Sequence, residues 1–438
     1  MPAWTPNQVV TLDDPLLVAN TDPDRFPRIA WGGEADAFLV LSDAPEILDD
    51  SNLGPGPATL YADTGGRIRG ACRVLLFHIN RTLGGRHLGV TVRNLGAGAG
   101  RLAHLRPPAA TVDANGTRAG YAVAASWLAG PAPPPAPLEL APGAAAIVLD
   151  AALPVGQTLA SLLQVSLVDA GGDPLPMAVQ VWVGARGDDR CEADDVWGAP
   201  LVPWQTTTNT SAKIRATVPH CRAAVTLDTA ADRPLLVDLC GMAPSGGPGA
   251  SPGAGPFAPV GFPQYGKPTP WLAPSHPQAC VERDWPYQAD PAGFDGAGPA
   301  GEYVAGWNFA DQTAEGVGDP GAAPAPWYRS SRFGTWMRQW NYGLYGCDLD
   351  IAVRAARPVH VAVTPARERF SCPWLWYQPE PGRAGGVPWE VVASGRLHTR
   401  YGGESTAYVL ASHTTGVRFV SQLTAGAYAP YRFAVVPA

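Results

Sequence analysis

A chain of 438 residues with 46% hydrophobic content can bury a sizeable core, and its length predicts two domains. With 50 Gly and 47 Pro, it leaves little room for long helices and favours short strands joined by many loops. The net charge of −7 and the scattered basic residues exclude the dense cationic face that nucleic-acid binding requires. No apolar run reaches the roughly 20 residues that span a bilayer, so we expect no membrane span.

The first half reads as a series of short strands separated by Gly, Pro or Asp, at spacings typical of a β-sandwich. Two apolar runs within Ala71–Leu95 flank Gly84–Gly85, which predicts a long antiparallel hairpin. The other strands are predicted at Ala37–Leu41, Thr59–Asp63, Leu138–Leu140, Ala145–Asp150, Leu163–Val168 and Ala178–Val183. One helix is predicted at Thr117–Leu128, where apolar residues recur at helical spacing before a Gly-Pro stop.

The second half is also predicted to be β-structure. Strands are expected at Ala212–Val218, Ala223–Asp228, Leu235–Leu239, Asp348–Val353, Val359–Val363, Leu375–Gln378, Val391–Ser394, Ala407–Ser412, Arg418–Leu423 and Arg432–Val436. We therefore predict an all-β fold of two β-sandwich domains, residues 1–205 and 206–438, with one short helix. A long irregular insertion rich in Pro, Gly and Trp is expected at about 241–338.

Several short motifs stand out along the chain: SDAPE (Ser42–Glu46), LLFHIN (Leu75–Asn80), GVTVRNLG (Gly89–Gly96), LELAPG (Leu138–Gly143) and NYGLYGCDLDIAV (Asn341–Val353). Together they resemble an uncharacterised family of bacterial, mostly Gram-positive, cell-surface proteins. Its members often accompany stalk domains like the N-terminal domain of copper amine oxidase. The resemblance implies a secreted or wall-associated β protein without known catalysis. The N-terminal residues show neither the basic head nor the apolar core of a signal peptide.

Seven cysteines occur without C-x-x-C spacing, which is not typical of a zinc ribbon. The segment Cys221–Cys240 reads strand, turn, strand, and a hairpin there would place Cys221 opposite Cys240 within disulfide reach. The alternative is two buried thiols within a sheet.

Two groups of acidic residues are candidates for a catalytic or a metal-binding role. Asp348 and Asp350 alternate along one strand, so their carboxylates are expected about 7 Å apart, a spacing found in glycoside hydrolysis; a structural or solvated pair is the alternative. The second group lies in an acidic loop, where Asp188, Asp189, Asp194 and Asp195 are candidate calcium ligands. The loop lacks the order of residues of a known calcium cage. A plain solvated turn explains the same residues.

Catalytic patterns are otherwise weak. GASPG (Gly249–Gly253) matches a nucleophile pattern but lacks the strand-to-helix elbow that this chemistry needs. His78 lies in a strand, where a histidine hydrogen-bonded into the sheet is the simpler interpretation. We predict no catalytic residues and no cofactor.

The tryptophans are concentrated in the second half and include Trp336, Trp340, Trp374 and Trp376. Such residues anchor loops, form subunit contacts, or stack on sugar rings.

The sequence thus favours a non-catalytic structural subunit of a bacterial cell-surface or extracellular assembly, such as a coat, sheath or filament. Its expected partners are further copies of the chain, joined through aromatic loops and strand edges. The N-terminal QVVTL run is one such candidate edge. Glycans are expected as partners if the protein is instead an adhesive module, and a glycoside-active enzyme is a third hypothesis.

Overall fold

The computed structural model describes residues 4–6, 8–12, 28–33, 35–43, 45–51, 53–129, 133–187, 192–200, 202, 215–218, 220–230, 235–239, 307–308, 313–314, 327–330, 335–338, 345–365, 374–378, 390–392, 405–422 and 431–438. Two helices occur among them, α1 (Gly116–Ala129) and the one-turn α2 (Ala193–Val196). Nearly all the other regular structure is β-strand, which confirms the predicted all-β class.

The strands of the first half are β1 (Val9–Leu12), β2 (Arg28–Trp31), β3 (Phe38–Ser42), β4 (Ile47–Leu48), β5 (Ala58–Asn80), β6 (Arg86–Asn94), β7 (Gly100–Asp113), β8 (Leu138–Leu140), β9 (Ala145–Leu153), β10 (Thr158–Val168) and β11 (Pro176–Val183). Those of the second half are β12 (Arg215–Val218), β13 (Arg222–Thr229), β14 (Leu235–Leu239), β15 (Trp307–Asn308), β16 (Thr313–Ala314), β17 (Trp327–Ser330), β18 (Thr335–Arg338), β19 (Asp348–Pro365), β20 (Trp374–Gln378), β21 (Glu390–Val392), β22 (Ser405–Gln422) and β23 (Tyr431–Pro437).

Strand β5 holds the first sheet together because it belongs to two layers. Its residues 58–69 pair with β11, and its residues 70–80 pair with β10. The strand bends at Gly70, whose φ of 74° lies in the left-handed region that favours glycine. We call β6, β9, β11 and residues 58–69 the outer layer. The middle layer comprises β3, β4, β7, β8, β10, β12 and residues 70–80.

A second sheet contains β1, β2, β13, β14 and β19–β23, and it covers the other face of the middle layer. Alternation along β5 shows how the middle layer serves two cores. Val74 and Leu76 belong to the core shared with the outer layer, whereas Leu75 and Phe77 belong to the core shared with the second sheet. A strand buried on both faces reads as a continuous apolar run, as VLLF (residues 74–77) does here. Two sandwich-like packings therefore share one layer.

The hairpin predicted within Ala71–Leu95 is not formed, although both of its strands exist. β11 lies between residues 58–69 of β5 and strand β6, so β5 and β6 are not neighbours. The segment around Gly84 instead crosses from the middle layer to the outer layer. Val74 of β5 and Val90 of β6 consequently belong to one core, which they enter from different layers. Sequence alone does not separate such a crossing from a hairpin, because both need two apolar runs and a turn.

Strand β7 was not predicted, because Pro107 and Pro108 lie in its middle. The pairing with β10 changes register at this point, with Arg106 opposite Gln164 and Ala109 opposite Leu162. Both prolines fall within that irregularity, where a missing ladder hydrogen bond costs least.

Three strands of the second sheet, β13, β19 and β22, differ from the prediction. Two of them are much longer than predicted, and the third has different neighbours. β19 and β22 each join two predicted strands into one long strand, and they pair antiparallel with bulges. β13 lies parallel to β19 and antiparallel to β2. The strand predicted as its hairpin partner, β14, pairs with β23 instead.

Each of the two large sheets contains strands from both of the predicted domains. β1 and β2 precede the first sheet in sequence but belong to the second sheet, and β12 pairs with β3 in the first sheet. The division at residue 205 stays a prediction. Much of the predicted insertion at about 241–338 lies outside the described residues; its described parts include the two short ribbons β15–β16 and β17–β18. Among the described helices, none has the length and apolar character to cross a membrane.

Candidate functional site

A buried ion pair joins the middle layer to the second sheet. Arg73 of β5 donates from Nη2 to Oδ2 of Asp348 at 2.8 Å. The same guanidinium donates to Oε1 of Gln164 and to the carbonyls of Cys221 and Gly346, at 2.9–3.3 Å. Its three nitrogens thus hold side chains or backbone from both halves of the chain. We call Arg73, Trp127, Gln164, Asp348 and Gln422 the interlayer polar cluster.

Asp348 completes this cluster by accepting from both sheets and from α1. Its Oδ1 accepts from the indole Nε1 of Trp127 at 3.3 Å and from Nε2 of Gln422 at 3.0 Å. Burial lowers the pKa of Arg73, but the Asp348 carboxylate and the neighbouring Cys221 and Cys347 together raise it by more, so the net pKa lies above its ordinary value. The guanidinium therefore remains a cation in the core.

The Trp127 ring receives two cations. The guanidinium carbons of Arg73 and Arg106 lie 4.9 and 4.6 Å from its ring centroid. Arg106 also donates to the Trp127 carbonyl at 3.1 Å. Such contacts favour a cation over an aromatic face. Because Trp127 is buried, this stack fixes α1 against the two layers and leaves no aromatic face open to a ligand.

Each carboxylate of the pair predicted for glycoside hydrolysis forms an ion pair with an arginine. Asp350 accepts from Nε of Arg418 at 2.6 Å and from Nη2 of the same residue, and Asp348 accepts from Arg73. The hydrogen bond to Asp350 is the first cause that raises the pKa of Arg418, and burial lowers it to a smaller extent. The two carboxylates of one strand therefore take part in separate structural pairs rather than flanking a shared opening.

His78 forms a pair with Ser42 that has the form of a serine–histidine dyad. Its Nδ1 lies 2.8 Å from the carbonyl of Pro45, which fixes the proton on Nδ1 and leaves Nε2 to accept from Ser42 Oγ at 3.0 Å. Both side chains are fully buried. A nucleophile needs access to its substrate, so this arrangement supports the predicted structural histidine.

Two asparagines explain the motifs HIN and VRNLG, which carry the family resemblance. Asn80 donates from Nδ2 to the carbonyls of Gly84 and Leu153, and its Oδ1 accepts from the Thr82 amide at 2.9 Å. Asn94 repeats this pattern at the end of β6. Its Nδ2 donates to the carbonyls of Gly98 and Leu140, and its Oδ1 accepts from the Gly96 amide. Both asparagines are fully buried, so they shape turns rather than a ligand site.

Gly89, the first residue of the GVTVRNLG motif, lies where two neighbouring strands approach closely. Gly89 lies opposite Trp182, and a Cβ at residue 89 would be 2.1 Å from the indole and 2.5 Å from the Leu149 carbonyl. The indole Nε1 donates to Thr91 at 2.9 Å. Only glycine leaves room for this buried ring.

The predicted Cys221–Cys240 bridge is not present. Cys221 carries a free, buried thiol, and Cys240 lies outside the described residues. The prediction is wrong in its geometry because β13 and β14 do not form a hairpin. Instead Cys221 precedes β13 at the position next to Cys347, which precedes β19.

The calcium and tryptophan candidates are described only in part. Asp188 and Asp189 lie outside the described residues, whereas Asp194 and Asp195 belong to α2, with Asp194 exposed. No group of three or more His, Cys, Asp or Glu side chains suited to a metal occurs among the residues that the structure describes. Trp336 lies in β18 and Trp374 and Trp376 in β20; Trp340 lies outside the described residues. Their roles stay predictions.

The N-terminal segment, Trp4–Leu12, docks on the second sheet. β1 pairs antiparallel with β22, from Val9 opposite Tyr408 to Leu12 opposite Ser405. The Val409 amide donates to the Gln8 carbonyl at 2.8 Å, and Ser412 Oγ donates to the Trp4 carbonyl at 2.6 Å.

Two anchors hold this segment. Trp4 and Val10 are 6% and 8% exposed, and they pack in a third core on the face of the second sheet that points away from the middle layer. β20 pairs with the same edge of β22 at residues 418–422, so β1 occupies the stretch of that edge that β20 does not cover. The N-terminal QVVTL run therefore completes the sheet of its own chain.

Sequence reasoning singled out Asp348 but missed Arg73 and the pairing between the two. The signal was present, since one arginine interrupts the apolar run CRVLLF of a strand buried on both faces. Such a charge must find a counter-charge, but nothing in the sequence indicates that Asp348 supplies it.

Comparisons with known proteins add little to this description. No protein-family model matches the chain, and no curated protein matches it significantly. Among solved structures, it is similar to the CUB1-EGF-CUB2 domain of human MASP-1/3 at 7% sequence identity, with a TM-score of 0.18, over 80% of this chain and 93% of that one.

Proposed function

We propose that this protein is a non-catalytic structural subunit of a bacterial cell-surface or extracellular assembly, and that its copies join by exchanging the N-terminal segment. The observation that carries this proposal is the docking of Trp4–Leu12 along the edge of β22. A strand that completes its own sheet by edge pairing and two buried anchors makes the same contacts when another copy supplies it.

The length of the connection supports an exchange. β1 ends at Leu12 and β2 begins at Arg28. At roughly 3.3–3.6 Å per residue, a connection of this length reaches about 50 Å when extended. A connection with this reach is long enough for the segment of one copy to pair with the β22 edge of a copy that lies against it. Head-to-tail exchange of this kind produces an open polymer, which suits a coat, sheath or filament.

The chemistry of the polar residues supports a structural role over catalysis. Asp348, Asp350 and His78 were the strongest catalytic candidates in the sequence. Each makes its hydrogen bonds within the protein, and His78 is fully buried with its serine partner. The resemblance of the HIN and GVTVRNLG motifs to cell-surface proteins favours the same role.

The test is the oligomeric state of the full chain at increasing concentration. Size-exclusion chromatography with light scattering, and electron microscopy of the same samples, is expected to show species larger than a monomer. Val10→Asp places a charge in the third core and is expected to shift the protein to monomers. Thr5→Asp adds the same charge at an exposed position of the same segment and serves as the matched control.

Two outcomes would overturn the proposal. One is a strict monomer at every concentration, and the other is a polymer that Val10→Asp leaves intact. A peptide of residues 1–12 gives an independent measure that does not require the variant to fold. When added in excess it should occupy the β22 edge and shorten the polymers, whereas a peptide with Trp4→Ala and Val10→Asp should not.

A further inference from the structure

Two buried cysteines occupy neighbouring positions on adjacent parallel strands. Arg222 of β13 pairs with Asp348 of β19, and the parallel register continues from there to the strand ends. The residues immediately before this first pair are Cys221 and Cys347. The Asp348 amide donates to the Cys221 carbonyl at 2.9 Å, so the two backbones remain in contact at the cysteines.

The two side chains also point to the same face. Cys221, Ala223 and Val225 alternate into the core between the middle layer and the second sheet. Cys347, Leu349 and Ile351 alternate into the same core from the neighbouring strand. Both cysteines are fully buried. Same-face residues in register on adjacent strands are direct neighbours.

The general spacing of adjacent strands falls within the Cα range of a disulfide. Neighbouring strands lie about 4.7–4.9 Å apart, within the range of about 4.4–6.8 Å between the Cα atoms of bridged cysteines. Each cysteine directly precedes its strand, at the end of the parallel ladder. Cys72 is the remaining described cysteine, and it lies on the opposite face of the middle layer, in the other core.

We propose that Cys221 and Cys347 are a disulfide pair that forms while the chain folds in an oxidising compartment. The oxidant is a disulfide, either oxidised glutathione or a disulfide oxidoreductase. One cysteine thiolate attacks that disulfide and releases a thiolate, and the second cysteine then displaces the other half from the mixed disulfide. Two thiols lose two electrons and two protons, one S–S bond forms, and the oxidant's S–S bond is reduced to two thiols.

Burial explains why oxidation belongs to folding rather than to the finished protein. In the folded protein the Cys347 thiol donates weakly to the His220 carbonyl at 4.0 Å, and neither sulfur reaches solvent. Burial raises the pKa of Cys221 to about 12 and raises that of Cys347 well above its ordinary value. The thiolate that attacks a disulfide is therefore scarce once the sheets have closed.

A bridge here would fasten the strand ends beside Arg73 and close the chain around the whole segment 222–346. Closing a loop of about 100 residues raises the folding equilibrium constant roughly 3,000-fold in the chain-entropy description.

The test is disulfide mapping of the full chain after refolding. The protein is unfolded in urea with reductant, then refolded in a mixture of reduced and oxidised glutathione. Free thiols are alkylated, and the peptides are identified by mass spectrometry without reduction. The expected result is a linked pair that contains Cys221 and Cys347, with Cys72 alkylated. Adding oxidised glutathione to the folded, reduced protein is expected to form this pair at least 10-fold more slowly.

Variants and controls complete the experiment. Cys72→Ala should leave the linked pair unchanged, whereas Cys347→Ala should leave Cys221 alkylated. Mapping of the unmodified chain needs no variant to fold, so it decides the question by itself. A bridge from Cys221 to any other cysteine, or alkylation of both cysteines after oxidative refolding, would overturn the proposal. Neither result depends on whether copies exchange their N-terminal segments.

Discussion

Arg73 and Asp348 lie 275 positions apart in the sequence, yet their side chains meet at 2.8 Å between the middle layer and the second sheet. The pair is deeply placed, with 3% and 14% of the two side chains exposed. Around it, Gln164, Trp127 and Gln422 satisfy the remaining polar atoms. The two halves of the chain are thus joined by a specific polar contact as well as by an apolar core.

Removing one member of this ion pair should destabilise the protein strongly. Arg73→Met leaves Asp348 without its cation, and breaking a buried pair in this way costs about 3–5 kcal/mol. Urea unfolding followed by fluorescence measures the loss. Arg118→Met removes an exposed arginine from its ion pair with Asp113 and should destabilise the protein far less, because solvent screens an exposed pair. Equal losses in the two variants would contradict the role assigned to Arg73.

The contact between Gly89 and Trp182 makes Gly89→Ala a severe change for so small a side chain. A Cβ 2.1 Å from the indole forces the ring or the strand to shift, which costs about 1–3 kcal/mol. Gly56→Ala is the matched control, because a Cβ at residue 56 meets nothing within 4 Å. In a Trp182→Phe background the cost should shrink without vanishing, since the Leu149 carbonyl remains 2.5 Å away. Unchanged stability of Gly89→Ala would show that this approach is not tight.

Asn80→Asp should produce a defect that depends on pH. The amide nitrogen donates to two carbonyls, and an ionised carboxylate would face them without a donor. We expect the variant carboxyl to have a folded-state pKa above the unfolded value of about 3.9. Its neutral form is therefore favoured on folding, so stability is greatest below about pH 4 and is lost as pH rises. Unfolding measured from pH 3 to 7 against the parent checks this, and a constant difference would contradict it.

The buried thiol of Cys221 predicts a loss of stability at alkaline pH. Burial raises its pKa to about 12, above the ordinary value of about 8.5–9 for an unfolded cysteine. Between about pH 9 and 12 the unfolded chain releases a proton that the folded chain retains, so stability falls with rising pH.

The size of this effect can be isolated in the reduced protein. The slope contributed by one such group is about 1.4 kcal/mol per pH unit. Cys221→Ala should therefore make the decline between pH 9 and 11 shallower by about that amount, measured by urea unfolding in excess reductant. Parallel curves for the parent and the variant would refute the assignment.

The sequence by itself determined the fold class and most of the described strands, although it did not predict β2, β4, β7 or the short ribbon strands β15–β18. The apolar runs at residues 72–80, 87–94 and 178–183 are strands in the structure, because local side-chain pattern and turn residues dictate extended backbone. It also indicated the structural nature of His78. It missed β7 because Pro107 and Pro108 break the local pattern, and only a register change against β10 accommodates them.

Only the tertiary structure decided which strands are neighbours. Local pattern cannot distinguish a hairpin from a crossing between layers, and so it paired β5 with β6 and Cys221 with Cys240. The structure places β11 beside β5 and Cys347 beside Cys221. The same reason hid the partnership of Arg73 with Asp348. Neighbours far apart in sequence are selected by the shared burial of whole faces, and no short window of residues contains that information.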